Sequence, residues 1–146
     1  MLTPFELTRD TLTISTDPAR LNLEAVCDFL SRAYWAQNRS RATIARSLQN
    51  SLVFGVYDGS RMVGMARVIT DYATLAWLCD VFVHEDYRGR GIGKWLMECT
   101  LAHPDLQGLR RWILATTDAH GLYSQYGYKP LENIEWWMER FDPDAH

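Results

Sequence analysis

A chain of 146 residues, 47% of them hydrophobic, is long enough to bury one sizeable core and short for a second module. Its formal net charge of -3 excludes a global basic field for nucleic acid or anionic lipid, so any anionic ligand must be held by a local cluster. No stretch is apolar and long enough to span a bilayer, the first ten residues lack the pattern of a signal peptide, and Cys27, Cys79 and Cys99 form no CxxC pair; the expectation is a single cytoplasmic domain over residues 1–146, with no metal site, no nucleic-acid partner and no membrane partner.

In chain order, residues 12–15 alternate weakly and suggest a first strand, ended by Asp17-Pro18. From Asn22, a plausible N-cap, Leu23, Val26, Cys27, Leu30 and Tyr34 recur at helical spacing, with Glu24 in the first turn where the helix dipole favours it. A second short helix starts near Ser40 and carries Ile44 and Leu48. Residues 51–57 are rich in strand formers, Asp58-Gly59 signals a hairpin, and a return strand covers about 61–69. A turn around Asp71 leads to a third strand over 74–83. A glycine-rich turn at 88–93 opens the next helix, with Ile92, Leu96 and Cys99 at helical spacing, and His103-Pro104 ends it. Residues 112–116 read as a strand, Asp118 as the cap of a short helix carrying Leu122, Tyr123 and Tyr126, and Gly127 as its end. Alternation of Ile134, Trp136 and Met138 predicts a last strand. An antiparallel meander followed by a crossover makes a mixed sheet, with 112–116 parallel to 74–83.

The segment from Asp80 to Leu96 runs from a buried strand through three glycines directly into a helix. Such a junction aims free backbone N–H groups and the positive helix end at one point. Gly91 and Gly93 put no side chain in the way of a phosphate, and Arg88, Arg90 and Lys94 add local positive charge. A P-loop is excluded because Gly93-Lys94 is followed by Trp95 and the first glycine position is Arg88. A dinucleotide fingerprint fails because Lys94 occupies its third glycine position. The remaining reading is a phosphate or pyrophosphate site, set against a plain glycine turn capping a solvated helix.

The run Arg88-Gly89-Arg90-Gly91-Ile92-Gly93 resembles the (Q/R)xxGx(G/A) motif of the GCN5-related N-acetyltransferase (GNAT) superfamily. Asp80-Val81-Phe82-Val83 and Tyr87 resemble that family's core strand and its lead into the turn, and Leu122-Tyr123-Ser124-Gln125-Tyr126-Gly127-Tyr128 is similar to its FYxKxGF segment. The resemblance covers residues 51–128. It implies an α/β (α+β) fold, with a mixed, mainly antiparallel central sheet flanked by helices and splayed at the acyl-coenzyme A site. It implies acetyl-coenzyme A as acyl donor, no metal, and a pyrophosphate wrapped by Arg88, Gly89, Arg90, Gly91, Ile92, Gly93 and Lys94. The main chain of Val81, Phe82 and Val83 would pair with the pantetheine arm as another strand does. Where the family often has Asn, seven positions before the motif tyrosine, this chain has Thr116; Thr116 or Thr117 can replace one hydrogen bond, not a whole amide.

Transfer to an amine needs a neutral amine, donors for the oxyanion and a proton for the departing thiolate. By its motif position Tyr123 is expected to be the general acid, against the alternative of a packing aromatic. Asp80 is a candidate base if burial raises its pKa, or else a structural carboxylate; by alternation it shares a face with Phe82 and His84, opposite Cys79 and Val81. His120 and an acyl-enzyme on Cys79 are weaker candidates. Tyr34, Trp35 and Trp77 are expected to shape the acceptor pocket, with Asp71 either holding an ammonium group or ending a strand. The leading expectation is N-acetylation of a small-molecule amine; the alternatives are a protein or peptide acetyltransferase and a non-catalytic acyl-coenzyme A sensor. An aromatic C-terminal strand, together with Trp136 and Trp137, suggests a homodimer.

Overall fold

The structure, a computed structural model, describes residues 3–145. Six strands form one sheet in sequential order: β1 (Glu6–Arg9), β2 (Leu12–Ser15), β3 (Leu52–Asp58), β4 (Arg61–Thr70), β5 (Leu75–Val83) and β6 (Arg111–Ile113). The first five pair antiparallel and β6 lies parallel to β5, as the meander and crossover require. Two helices, α1 (Leu23–Ser31) and α2 (Arg41–Gln49), cover one face; α3 (Ile92–Ala102) packs on the other, and a short α4 (His120–Ser124) follows β6.

Both faces of β3 are buried, which is why its run of apolar residues is nearly continuous. Leu52, Phe54 and Val56 join Leu78, Leu96 and Met97 in the α3 core; Val53 and Tyr57 join Phe29, Leu30, Ile44, Met65 and Phe82 beneath α1 and α2. Phe29 stacks on Phe82 at 4.9 Å between centroids, tying α1 to β5. The helix starts follow their caps: Asn22 Oδ1 accepts from Ala25 N–H at 3.1 Å, and Ser40 Oγ accepts from Thr43 N–H at 3.1 Å. Such caps each contribute about 1 kcal/mol.

The structure departs from the sequence reading at four places. An added edge strand, β1, precedes the expected first strand; it is exposed along its length, so no burial pattern marks it. Asp118 does not cap α4: the Thr116 hydroxyl accepts from the N–H groups of Asp118 (3.4 Å) and Ala119 (3.2 Å). The parallel strand expected over 112–116 spans only Arg111–Ile113. The tail is not a strand: Ile134–Trp136 forms one 3-10 turn after Asn133, whose φ is 54°. Its alternating apolar residues stay exposed, Met138 at 95%. Among the described residues no helix is long and apolar enough to cross a membrane.

Candidate active site

The sheet parts at one defined place. β5 pairs with β6 only from Leu75 to Trp77, opposite Arg111 to Ile113. From Leu78 onward, β5 continues to Val83 with no strand on that side among the described residues. The edge so exposed contains Val81, Phe82 and Val83. One of its carbonyls is already engaged, because Arg88 Nε donates to Val83 O at 3.0 Å.

Asp80 sits at the parting and is held by a bulge. Its φ is 50°, a costly conformation for a residue other than glycine, and the β4–β5 register shifts beside it. The bulge corrects the alternation argument. Asp80 does face away from Val81, but it shares a face with Cys79: Cys79 lies directly opposite Arg67, and Arg67 bonds Asp80.

Three donors occupy this carboxylate. Arg67 Nε (2.8 Å) and Arg39 Nη1 (2.9 Å) donate to Oδ2, and Trp35 Nε1 (2.9 Å) donates to Oδ1. Burial is the largest influence on its pKa and acts upward. The charges of Arg67 and Arg39, with hydrogen bonds from Arg67 and Trp35, outweigh it and hold the carboxyl below the ordinary aspartate range. That is the reverse of the shift a general base requires, so the expectation of a raised pKa at Asp80 is corrected.

Beyond Asp80 the site is walled by the loop after α1 and the loop before α4. Tyr34 and Trp35 meet edge to face at 5.1 Å, and the Tyr34 hydroxyl shares a 2.7 Å hydrogen bond with the Thr117 hydroxyl. Trp77, 45% exposed, stands on β5 on the Asp80 side. Tyr123 is buried on α4. Its phenol pKa is raised by burial first, then by Asp118 and Tyr34.

The glycine turn leaves its backbone uncovered. Gly89 (φ 78°) and Gly91 (φ 75°) adopt the left-handed conformation, and a Cβ added at either would meet nothing within 4 Å. Gly91 is the N-cap of α3, and no side chain caps that helix start. Its first amides therefore face open space at the positive end of an eleven-residue helix. Tyr87 fixes the turn by donating from its hydroxyl to Asp58 Oδ2 at 2.6 Å. The three basic residues are less committed than expected: Arg88 turns back to Val83, Arg90 lies 4.9 Å over the Tyr87 ring, and Lys94 is exposed.

Other expected residues do different work. Asp71 accepts from the N–H groups of Ala73, Thr74 and Leu75 and from the Thr74 hydroxyl, so it builds the β4–β5 turn. Its pKa is lowered by these bonds, Thr74 first. The Thr116 hydroxyl is spent on the start of α4. The Cys79 thiol is pushed up by burial, against a nucleophilic thiolate, and His120 is exposed. Among the described residues no three His, Cys, Asp or Glu side chains cluster to bind a metal. Sequence reasoning missed Arg39 and Arg67, which it had no means to pair with a residue 41 or 13 positions away.

A mixed sheet that parts beside an uncapped, glycine-led helix start defines the acetyltransferase class. The acetyltransferase (GNAT) domain family matches residues 49–130. A Gibberella zeae protein described as an acetyltransferase is 31% identical, over 84% of this chain and 81% of its own. A crystal structure from Xanthomonas campestris pv. campestris, described as an acetyltransferase of the GNAT family, is 47% identical with a TM-score of 0.88, over 90% of this chain and 94% of that one. A Staphylococcus aureus structure at 24% identity and TM-score 0.72, covering 90% and 99% of the two chains, shares the fold. This chain belongs to the GNAT family of acetyltransferases.

Proposed function

We propose that this acetyltransferase moves an acetyl group from acetyl-coenzyme A to the amine of a small-molecule acceptor by direct attack, with Tyr123 as general acid. The observation that carries the reading is the combination of a bare edge on β5, an uncapped helix start and a buried tyrosine whose surroundings keep it protonated. The donor fits these residues: the amides opening α3 suit its pyrophosphate, the Val81–Phe82 main chain suits its amide-bearing arm, and neither glycine of the turn obstructs. When bound, it supplies an acetyl thioester, whose C–S bond breaks as the C–N bond to the amine forms.

The chain's own groups then have separable tasks. Tyr123 gives its phenolic proton to the leaving sulfur. The N–H groups on the open edge of β5 offer hydrogen bonds to the acyl oxygen. Asp80, already ion-paired, positions the α1–α2 loop through Trp35 and Arg39 rather than taking the amine proton, which passes to solvent. Tyr34, Trp35 and Trp77 give the acceptor an aromatic wall.

A small acceptor is favoured over a peptide because the Tyr34–Thr117 hydrogen bond bridges the two loops across the parting and narrows the approach. The test is thiol release from acetyl-coenzyme A across a panel of polyamines, arylalkylamines, amino acids, aminoglycosides and lysine peptides. Turnover confined to peptides would overturn the small-acceptor reading, and coenzyme A binding without turnover on any amine would leave a sensor.

The same reading includes a homodimer. Its support is the apolar tail, whose Ile134, Trp136, Met138 and Phe141 are all more than two-thirds exposed, beside the outer edge of β6.

A further inference from the structure

The charge at the acceptor wall does not balance. Asp80 supplies one carboxylate; Arg67 and Arg39 supply two guanidiniums. Arg67 is the committed counterion: its side chain is 11% exposed, Nε binds Asp80 and Nη1 donates to Ser51 Oγ at 3.1 Å. Arg39 is the surplus. Its only side-chain hydrogen bond among the described residues uses Nη1, and its side chain remains 21% exposed. Through Asp80 it reaches the parting on β5, and it lies on the same loop as Tyr34 and Trp35. Two guanidiniums against one carboxylate leave a net positive charge at this wall, which favours an anionic group beside Arg39. A planar fork of donors matches a carboxylate best.

The geometry points to an acceptor amine that also carries a carboxylate on an apolar body, with Arg39 binding that carboxylate and Trp35 and Trp77 covering the apolar part. The inference rests on the acetyl-transfer reading and narrows its acceptor. The balance of the transfer is unchanged: the amine nitrogen loses a proton and gains the acetyl group, the sulfur gains a proton, and the carboxylate stays ionised as a handle. A second carboxylate, Asp118, raises the Tyr123 pKa from the α4 side, so a zwitterion would meet opposite charges on the two walls.

The experiment compares matched acceptors, phenylalanine against 2-phenylethylamine and tryptophan against tryptamine, in the wild type, Arg39→Met and Arg39→Lys. The expected result is a kcat/KM at least tenfold higher for each carboxylated member, carried mainly by KM. That ratio collapses towards one in Arg39→Met and partly recovers in Arg39→Lys. Equal kcat/KM within each pair, or an unchanged ratio in Arg39→Met, overturns the inference while leaving acetyl transfer intact. Binding of 3-phenylpropanoate, which has no amine to acetylate, is measured in parallel by ligand-observed NMR. Saturable binding lost in Arg39→Met supports the carboxylate site even if no amine turns over, and that second outcome would sink the transfer reading alone. No binding to the wild type counts against the site. Thermal melts of both variants establish that they fold; Arg67 remains as counterion to Asp80 in each.

Discussion

Tyr123 and Asp80 are two buried titratable groups whose surroundings push them towards opposite protonation states, and their roles follow from that. Burial raises the Tyr123 pKa above the ordinary phenol value, so the group stays protonated throughout the neutral range, as the proposed general acid must. The expected consequence is a kcat profile with no falling limb below about pH 10 that belongs to this residue. Tyr123→Phe should lower kcat by about a hundredfold or more with little change in coenzyme A affinity, since general acids contribute about 10²–10⁴; stopped-flow turnover and calorimetry read the two halves. Asp80 is depressed in the folded chain, so its contribution to stability is complete above the unfolded pKa of about 4 and is lost as the pH falls through the lower folded value. Asp80→Asn leaves Arg67 buried without its charge partner and should cost about 3–5 kcal/mol at pH 7. Urea melts from pH 7 to pH 3 should show the variant less sensitive to acid than the wild type. A variant as stable as the wild type at pH 7 would remove the ion-pair account.

At the scale of elements, the clearest sequence signals were those with a single physical cause. Gly89 and Gly91 were legible because only glycine takes a φ near 75° without strain, and Asn22 and Ser40 because a short polar side chain is what a helix start lacks. The Asp80 bulge was not legible, since a left-handed aspartate leaves no mark in the residue pattern and one extra residue in β5 reverses what alternation predicts beyond it. The tail misled for a related reason: alternation of Ile134, Trp136 and Met138 records apolar side chains, not the partner strand they would need. The α3 start gives its own prediction. Gly93 lies within the first turn, and a Cβ there would meet only Leu122 at 3.7 Å. Gly93→Glu should therefore fold, helped by an acidic residue near a helix N-terminus, yet bind coenzyme A at least tenfold more weakly. Calorimetry with a parallel thermal melt checks both; unchanged affinity would mean that the turn holds no diphosphate.

At the scale of the whole molecule, the meander of β3 to β5 and the parallel crossover to β6 were readable, because local pattern and chain connectivity leave few ways to bury this much apolar strand, whereas β1 and the lack of a tail strand were not. The aromatics Tyr34, Trp35 and Trp77 were named from the sequence, but the pairs that fix their surroundings, Arg39 with Asp80 and Tyr34 with Thr117, were not, because no spacing rule connects residues so far apart. The exposed tail belongs to this scale as well. Light scattering at micromolar concentration should report twice the chain mass, falling to one chain mass when Trp136 and Met138 are replaced by Ser; a wild-type monomer would contradict the dimer.

The central claim is that the open edge of β5 and the start of α3 together receive the acyl donor. Residue-resolved amide hydrogen exchange with and without acetyl-coenzyme A tests it directly. The account predicts slowed exchange at Val81, Phe82 and residues 91–94, with β2 and β3 unchanged. Saturating donor that left those amides exchanging at their free rates would contradict it.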